Sequence, residues 1–194
     1  MRTHGYVIVE VDESYINEVE VAGGLKLTVN TTIESIEHIN RKARIISAPA
    51  FTPLKEGDYI IMHHNICRLR NGVKGELIRS NYHLKENQYF VPLTEIFMYK
   101  RPDEYWEALA PFVFVKPIVH EGIKSSLHII DSTAAHNGMV RNIGYIKYGN
   151  KLLDDYGFVK GDKILFSNDS EYEFCIEGEL LYKMSFKDIL GKFE

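Results

Sequence analysis

The chain has little from which to build a covalently or metal-held framework. Among its 194 residues there are two cysteines, Cys67 and Cys175. Two are too few for a disulfide scaffold, and their scarcity fits a reducing compartment. An excess of positive charge is also missing. Against 27 Asp and Glu stand 23 Lys and Arg, a formal net charge of -4, which removes the electrostatic basis for nucleic-acid binding. No run reaches the roughly 18 consecutive apolar residues of a membrane span. The opening "MRTHGYVIVEVDES" turns acidic too soon to hold the apolar core of a signal peptide. The expectation is a cytoplasmic protein with neither nucleic acid nor membrane as partner.

Catalytic signatures are missing as well. There is no Walker pattern and no G-x-G-x-x-G. A Ser-His-Asp set is defined by geometry and cannot be assigned from order alone. His63-His64 near Cys67 has no second cluster to complete a zinc site, and neighbouring residues of a strand face opposite ways. The chain is therefore expected to have no catalytic residue, no metal and no cofactor of its own. Cys175, between Phe174 and Ile176, reads as a buried small hydrophobe. The acidic run "DESYINEVE" reads as a solvated loop.

What is present is a succession of short β signals. "YVIVEV" (6–11), "ARIISA" (43–48), "YIIM" (59–62), "QYFVPL", "FVFVKPIV" (112–119) and "GDKILF" are β-branched or aromatic segments bounded by Gly, Asn and Asp. This pattern predicts an all-β barrel or sandwich. "RPDEYWEALAP" interrupts it. Pro102 suits a first helical position and Pro111 a stop, which predicts a short helix serving as a linker over 101–111.

The two halves correspond in order. Tyr6–Val11 answers Phe112–Pro117, Gly23-Gly24-Leu25 answers Ser125-Ser126-Leu127, and Gly57-Asp58 answers Gly161-Asp162. Each pair is offset by just over a hundred residues, and "PLTEIFMYK" then answers "SFKDILGKF". Collinear matches at a near-constant offset mark an internal repeat. The predicted organisation is one β domain over 1–100, the linker over 101–111, and a second β domain over 112–194.

Each half resembles a co-chaperonin of the GroES type. The C-terminal half carries the likeness in "FVFVKPIVHEGIKSSLHIIDS", "VKGDKILF" and "FKDILGKFE", and the N-terminal half in "YVIVEV", "AGGLKL", "LKEGDYIIM" and "LTEIFMYK". The tandem arrangement resembles the double-domain co-chaperonins of chloroplasts, and phages encode divergent single-domain forms. The resemblance implies two GroES-like small β-barrels, self-association into a ring, and a lid that caps a GroEL-type chaperonin and assists folding. ATP would be bound by the chaperonin, not by this chain.

The resemblance also assigns residues. Leu25, Lys26 and Leu27 fall at the apolar tripeptide of the first mobile loop, and Leu127, His128 and Ile129 at that of the second. Gly23, Gly24, Ser125 and Ser126 fall at the loop hinges. Asp188, Ile189 and Leu190 lie in the closing strand, which in the family meets a neighbour's first strand; Val113 and Phe114, or Tyr6–Val11, would receive it. Elementary geometry supports the loop assignment, because alternation in an extended segment puts Leu25 and Leu27 on one side and Lys26 on the other. Two buried leucines contribute roughly 3–6 kcal/mol before the cost of ordering a loop, so many loops must bind together to hold tightly. Three features depart from the family: Lys26 and His128 in the middle of the tripeptides, Ser125-Ser126 in place of a Gly pair, and Thr31-x-x-Glu34, which looks like a capping box ahead of a short helix. They favour an alternative: a ring-forming structural or assembly protein with a GroES-like fold that no longer binds chaperonin, for which a viral source, and then the host cytoplasm, would suit because ring-forming β domains fit particle architecture.

Overall fold

A computed structural model describes residues 5–12, 18–28, 42–74, 76–119 and 139–194. It is predominantly antiparallel β, and it divides into two compact units, Met1–Glu107 and Ala108–Glu194.

The first unit contains β1 (Tyr6–Glu10), β2 (Glu18–Val21), β3 (Leu25–Thr28), β4 (Lys42–Ser47), β5 (Tyr59–Met62), β6 (Leu69–Asn71), β7 (Leu77–Arg79), β8 (His83–Lys85), β9 (Gln88–Pro92), β10 (Ile96–Lys100) and β11 (Glu107–Ala108). Its main sheet runs β11-β10-β5-β4-β1-β9-β8, while β2-β3 and β6-β7 form two separate ribbons. The second unit contains β12 (Phe112–Val119), β13 (Met139–Tyr148), a one-turn helix α1 (Lys151–Asp155), β14 (Lys163–Phe166), β15 (Tyr172–Ile176), β16 (Glu179–Ser185) and β17 (Ile189–Lys192). Its sheet runs β15-β16-β12-β13-β14-β17.

With β11 set aside, the two sheets follow one order. β8-β9-β1-β4-β5-β10 in the first unit corresponds to β15-β16-β12-β13-β14-β17 in the second. The register agrees in detail: Val9 lies opposite Tyr89 and Val115 opposite Tyr182, and all four are buried. The turns agree too. Gly57 and Gly161 adopt φ of +90° and +94°, which glycine alone reaches without steric cost. Each is followed by an aspartate that closes its own turn. Asp58 Oδ2 accepts the Lys55 N–H at 2.8 Å, and Asp162 Oδ2 accepts the Val159 N–H at 3.0 Å. Ahead of each last strand, the Glu95 carbonyl accepts from His63 N–H and the Asp188 carbonyl from Ser167 N–H, both at 2.9 Å.

The central strands are apolar on both faces because both faces are covered. Val7, Ile8 and Val9 of β1 and Val113, Phe114 and Val115 of β12 are all buried. The second unit's principal core gathers Val113, Val115, Ile146, Leu153, Ile164, Phe166, Tyr182 and Met184. Asn150 anchors α1 beneath it. Its Oδ1 accepts the Leu153 N–H at 3.2 Å, while its Nδ2 donates to the Phe112 carbonyl at 2.7 Å.

The expected linker helix is not formed. Between 101 and 111 the chain makes a turn in which Glu104 N–H donates to the Arg101 carbonyl, then the short strand β11, then a second turn in which Phe112 N–H donates to the Leu109 carbonyl. Asp103 sits at φ +65°, a left-handed conformation that ends a helix at once. Burial of Trp106, with Lys100 Nζ 5.8 Å from its ring centre, outweighs the local helix signal. The division between units falls inside β11, not at Phe112.

Two smaller readings also change. Glu18–Val21 is a strand, so the tail of the acidic run is not loop. Cys175 is exposed and Cys67 is the buried cysteine; in β15 the inward positions go to Phe174 and Ile176, and alternation turns Cys175 outward.

Candidate functional site

Two features of the surface carry the expected functional residues, and the first is the β2-β3 ribbon. Its turn is Ala22-Gly23-Gly24, with Gly23 at φ +96° and Gly24 at +75°. A side chain at Gly23 would meet nothing within 4 Å, so backbone conformation alone calls for glycine there. Gly23 and Gly24 thus form the tip of an ordered hairpin, and Leu25, Lys26 and Leu27 form its returning strand. The register is Glu18 to Thr28, Val19 to Leu27, Glu20 to Lys26 and Val21 to Leu25. Leu25 is 61% exposed, high for a leucine in a strand. The partner strand β2 was not anticipated, although its Glu-Val-Glu-Val alternation carries the period of a half-covered strand. Ser125, Ser126, Leu127, His128 and Ile129 lie outside the described residues, as does the capping box at Thr31.

The second feature is the edge formed by β17. It pairs with β14 on one side, with Phe166 opposite Ile189 and Ile164 opposite Lys192. Among the described residues no strand pairs with its other side. Leu190 is 65% exposed and Phe193 47%. Tyr145 of β13 and Leu165 of β14 are exposed nearby in the same sheet. The equivalent strand of the first unit differs: β10 lies between β5 and β11, and Ile96, Phe97, Met98 and Tyr99 are all buried. Phe97, which matches Leu190, is only 3% exposed, and its ring stands edge-on to His63 at 6.2 Å. The residue matching His63 is Ser167, too small to cover Leu190.

The other expected interface residues are placed differently. Val113 and Phe114 are fully buried in β12, which is paired on one side with β13 and on the other with β16. β1 is likewise held between β4 and β9. Where both ladders run, at Phe114–Val115 and Ile8–Glu10, the backbone groups are already engaged on two sides. Asp188 is turned inward on its own turn, where its Oδ2 accepts the Ser185 N–H at 3.1 Å. Ile189 packs against the core beside Phe158 and Phe186. Leu190 alone of the five is presented to solvent.

Among the described residues no group of three or more His, Cys, Asp or Glu could hold a metal. His63 and His64 do not diverge as strand neighbours would. A 3-10 turn begins at His64, and the two rings stack at 4.5 Å. His63 Nδ1 accepts the Asn65 N–H at 3.2 Å. Tyr172 opens β15 with its ring 5.2 Å from Lys183 Nζ. The shifted acids are structural: the Glu179 carboxyl is held below its ordinary range by hydrogen bonds from Lys116 and then Lys147. No described helix is long and apolar enough to cross a membrane.

Two phenols are displaced from the ordinary value near 10. Burial, followed by the hydrogen bond to Glu107, pushes Tyr99 up to about 12. Burial, followed by the charges of Glu173 and Glu171, pushes Tyr182 up to about 12. The fold therefore favours their neutral forms. Their contribution to stability is complete below pH 10 and is lost as pH rises through 12. In an ultraviolet absorbance titration, Tyr99 and Tyr182 should ionise late, as the chain unfolds. Ionisation of these two near pH 10 would contradict this.

No family model matches the chain, and no curated protein matches it.

Proposed function

We propose that the chain is a co-chaperonin of the GroES type: two tandem small β-barrel domains that assemble into a ring and cap a chaperonin. The observation that supports this reading is the β2-β3 hairpin with its exposed Gly23-Gly24 tip and exposed Leu25, in a unit whose strand order recurs in the second half. A lid needs an adhesive element and a means of self-association, and it needs no catalytic group. The hairpin supplies the first, and the edge of β17 that no described strand covers supplies the second. A ribbon whose register is already set loses less conformational entropy on binding than a loose loop. A ring of such ribbons multiplies a weak contact through effective concentration. In this reading ATP belongs to the chaperonin, and the chain works in the cytoplasm.

The test is capture of the chain by a GroEL-type chaperonin ring in ATP or ADP. The unaltered chain should be retained, and Leu25→Asp combined with Leu127→Asp should lower retention on the order of a hundredfold, because two apolar anchors become charges that resist desolvation. Equal retention of the double variant would remove the loop assignment.

A second reading is favoured by the exposed Leu190 of β17 and Phe193 just after it, which provide for self-association whether or not a chaperonin is bound. On that reading the chain is a ring-forming structural or assembly protein. It would assemble normally and leave chaperonin untouched in every nucleotide state.

A further inference from the structure

The two sheets end on equivalent strands of opposite charge. β8 closes the main sheet of the first unit beyond β9, and β15 closes that of the second beyond β16. Among the described residues no strand pairs with the outer side of either. The segment 63–87, which leads from β5 through β8 to β9, contains five Lys and Arg against two acids. Its counterpart 167–178, which leads from β14 through β15 to β16, contains four acids and no Lys or Arg.

The charges lie at the edge strands themselves. Lys85 is the last residue of β8 and is exposed. The Arg79 guanidinium reaches the same strand end, where its Nη1 donates to the Glu86 carbonyl at 2.8 Å. In β15 the inward positions belong to Phe174 and Ile176, so alternation turns Glu173 outward with the exposed Cys175. Glu177 follows at the strand end and is exposed. Charge on an edge strand prevents it from pairing with another of its own kind. Opposite signs at the two equivalent edges keep that protection, because β8 repels β8 and β15 repels β15. One combination is left attractive, that of β8 with β15.

We propose that β8 of one copy of the chain meets β15 of a second copy, the basic edge of a first unit against the acidic edge of a second unit. Every copy carries one edge of each kind, so the contact can close a pair of copies or continue to a third. Exposed charges hold weakly by themselves. Their effect is on which edges meet and on the rate of encounter, while the apolar edge of β17 supplies the grip. Both edges belong to this chain, so the contact forms whether or not a chaperonin is bound.

The experiment follows the light-scattering mass of the full chain across a concentration series at low salt. Lys74→Glu with Lys85→Glu removes the basic edge and keeps the acidic one. Glu173→Lys with Glu177→Lys removes the acidic edge and keeps the basic one. Each double variant alone lacks a complementary edge, and its apparent dissociation constant should rise on the order of tenfold. An equimolar mixture offers the intact acidic edge of one variant to the intact basic edge of the other, and should recover most of that loss. Added salt should weaken the unaltered chain and the mixture alike, because exposed charges are screened. A mixture no tighter than its components, variants that assemble as the unaltered chain does, or an association indifferent to salt would overturn the proposal. So would the mass of one copy for the unaltered chain at every concentration. A lower melting temperature in either variant that mixing leaves in place would assign the charges to the chain's own fold, and overturns it as well.

Discussion

Leu190→Asp should reduce the light-scattering mass of the chain from that of an assembly to that of one copy, with little change in melting temperature. The two halves of this expectation have separate causes. Leu190 is 65% exposed within its own unit, and substitutions at such positions usually change stability by less than about 0.5 kcal/mol. The same position lies on a strand edge unpaired among the described residues, in a sheet that also exposes Leu165 and Tyr145, with Phe193 just beyond the strand. A carboxylate forced into a dry contact there costs several kcal/mol, of the order of the desolvation of an unpaired charge. Natural sheets protect free edges with charge, proline or a covering strand. The first unit follows this practice, with β11 beside β10 and His63 beside Phe97. Among the described residues no strand covers the equivalent edge of the second, and Lys192 is drawn away to Asp162 and the Gly157 carbonyl. An exposed apolar edge on a chain with net charge of only -4 is what association requires and what a monomer avoids. If the unaltered chain already has the mass of one copy, or if the aspartate variant keeps the mass of its parent, β17 is not an assembly surface.

The parts of the fold that could be read in the sequence are those governed by local chemistry. Gly57-Asp58 and Gly161-Asp162 announce their turns because a left-handed glycine and a carboxylate accepting a nearby N–H are properties of the residues themselves. The valine-rich β1 and β12 announce buried strands for the same reason. What could not be read depends on non-local pairing. Val113 and Phe114 read equally well as an open edge or as a central strand, because an apolar run does not say how many neighbours it has. Strand order decides, and it places them inside. Asp188 looked available until its carboxylate closed the turn at Ser185. The linker failed because Trp106 found burial, which outweighs a helix propensity of a few tenths of a kcal/mol per residue. β2 escapes for the opposite reason: an acidic run suggests loop, yet Glu18 and Glu20 lie in a strand paired with β3.

Gly144→Ala should destabilise the second unit by about 2–4 kcal/mol, where the same change elsewhere in a strand would stabilise. Alanine restricts the unfolded chain more than glycine does, and at a compatible site this contributes about 0.4–1 kcal/mol in its favour. Gly144 is not such a site, although its backbone is not among the left-handed positions. The obstacle is space. A Cβ on Gly144 would collide with Val115 Cγ1 and would stand 2.7 Å from the Lys116 carbonyl oxygen. Val115 is fully buried within the principal core and has nowhere to retreat. The carbonyl belongs to β12, which is held by β13 through Lys116 opposite Tyr145 and Pro117 opposite Gly144. Relief therefore requires β12 and β13 to part, loosening the ladder that joins the two longest strands of the unit. Gly191 provides the internal contrast. It lies in β17, is not among the left-handed positions, and a Cβ there would meet nothing within 4 Å. Gly191→Ala should leave the denaturation midpoint unchanged or raise it slightly, while Gly144→Ala lowers it, both read by circular dichroism in urea. Equal midpoints for the two variants would mean that β12 and β13 do not approach as closely at Gly144 as the backbone places them.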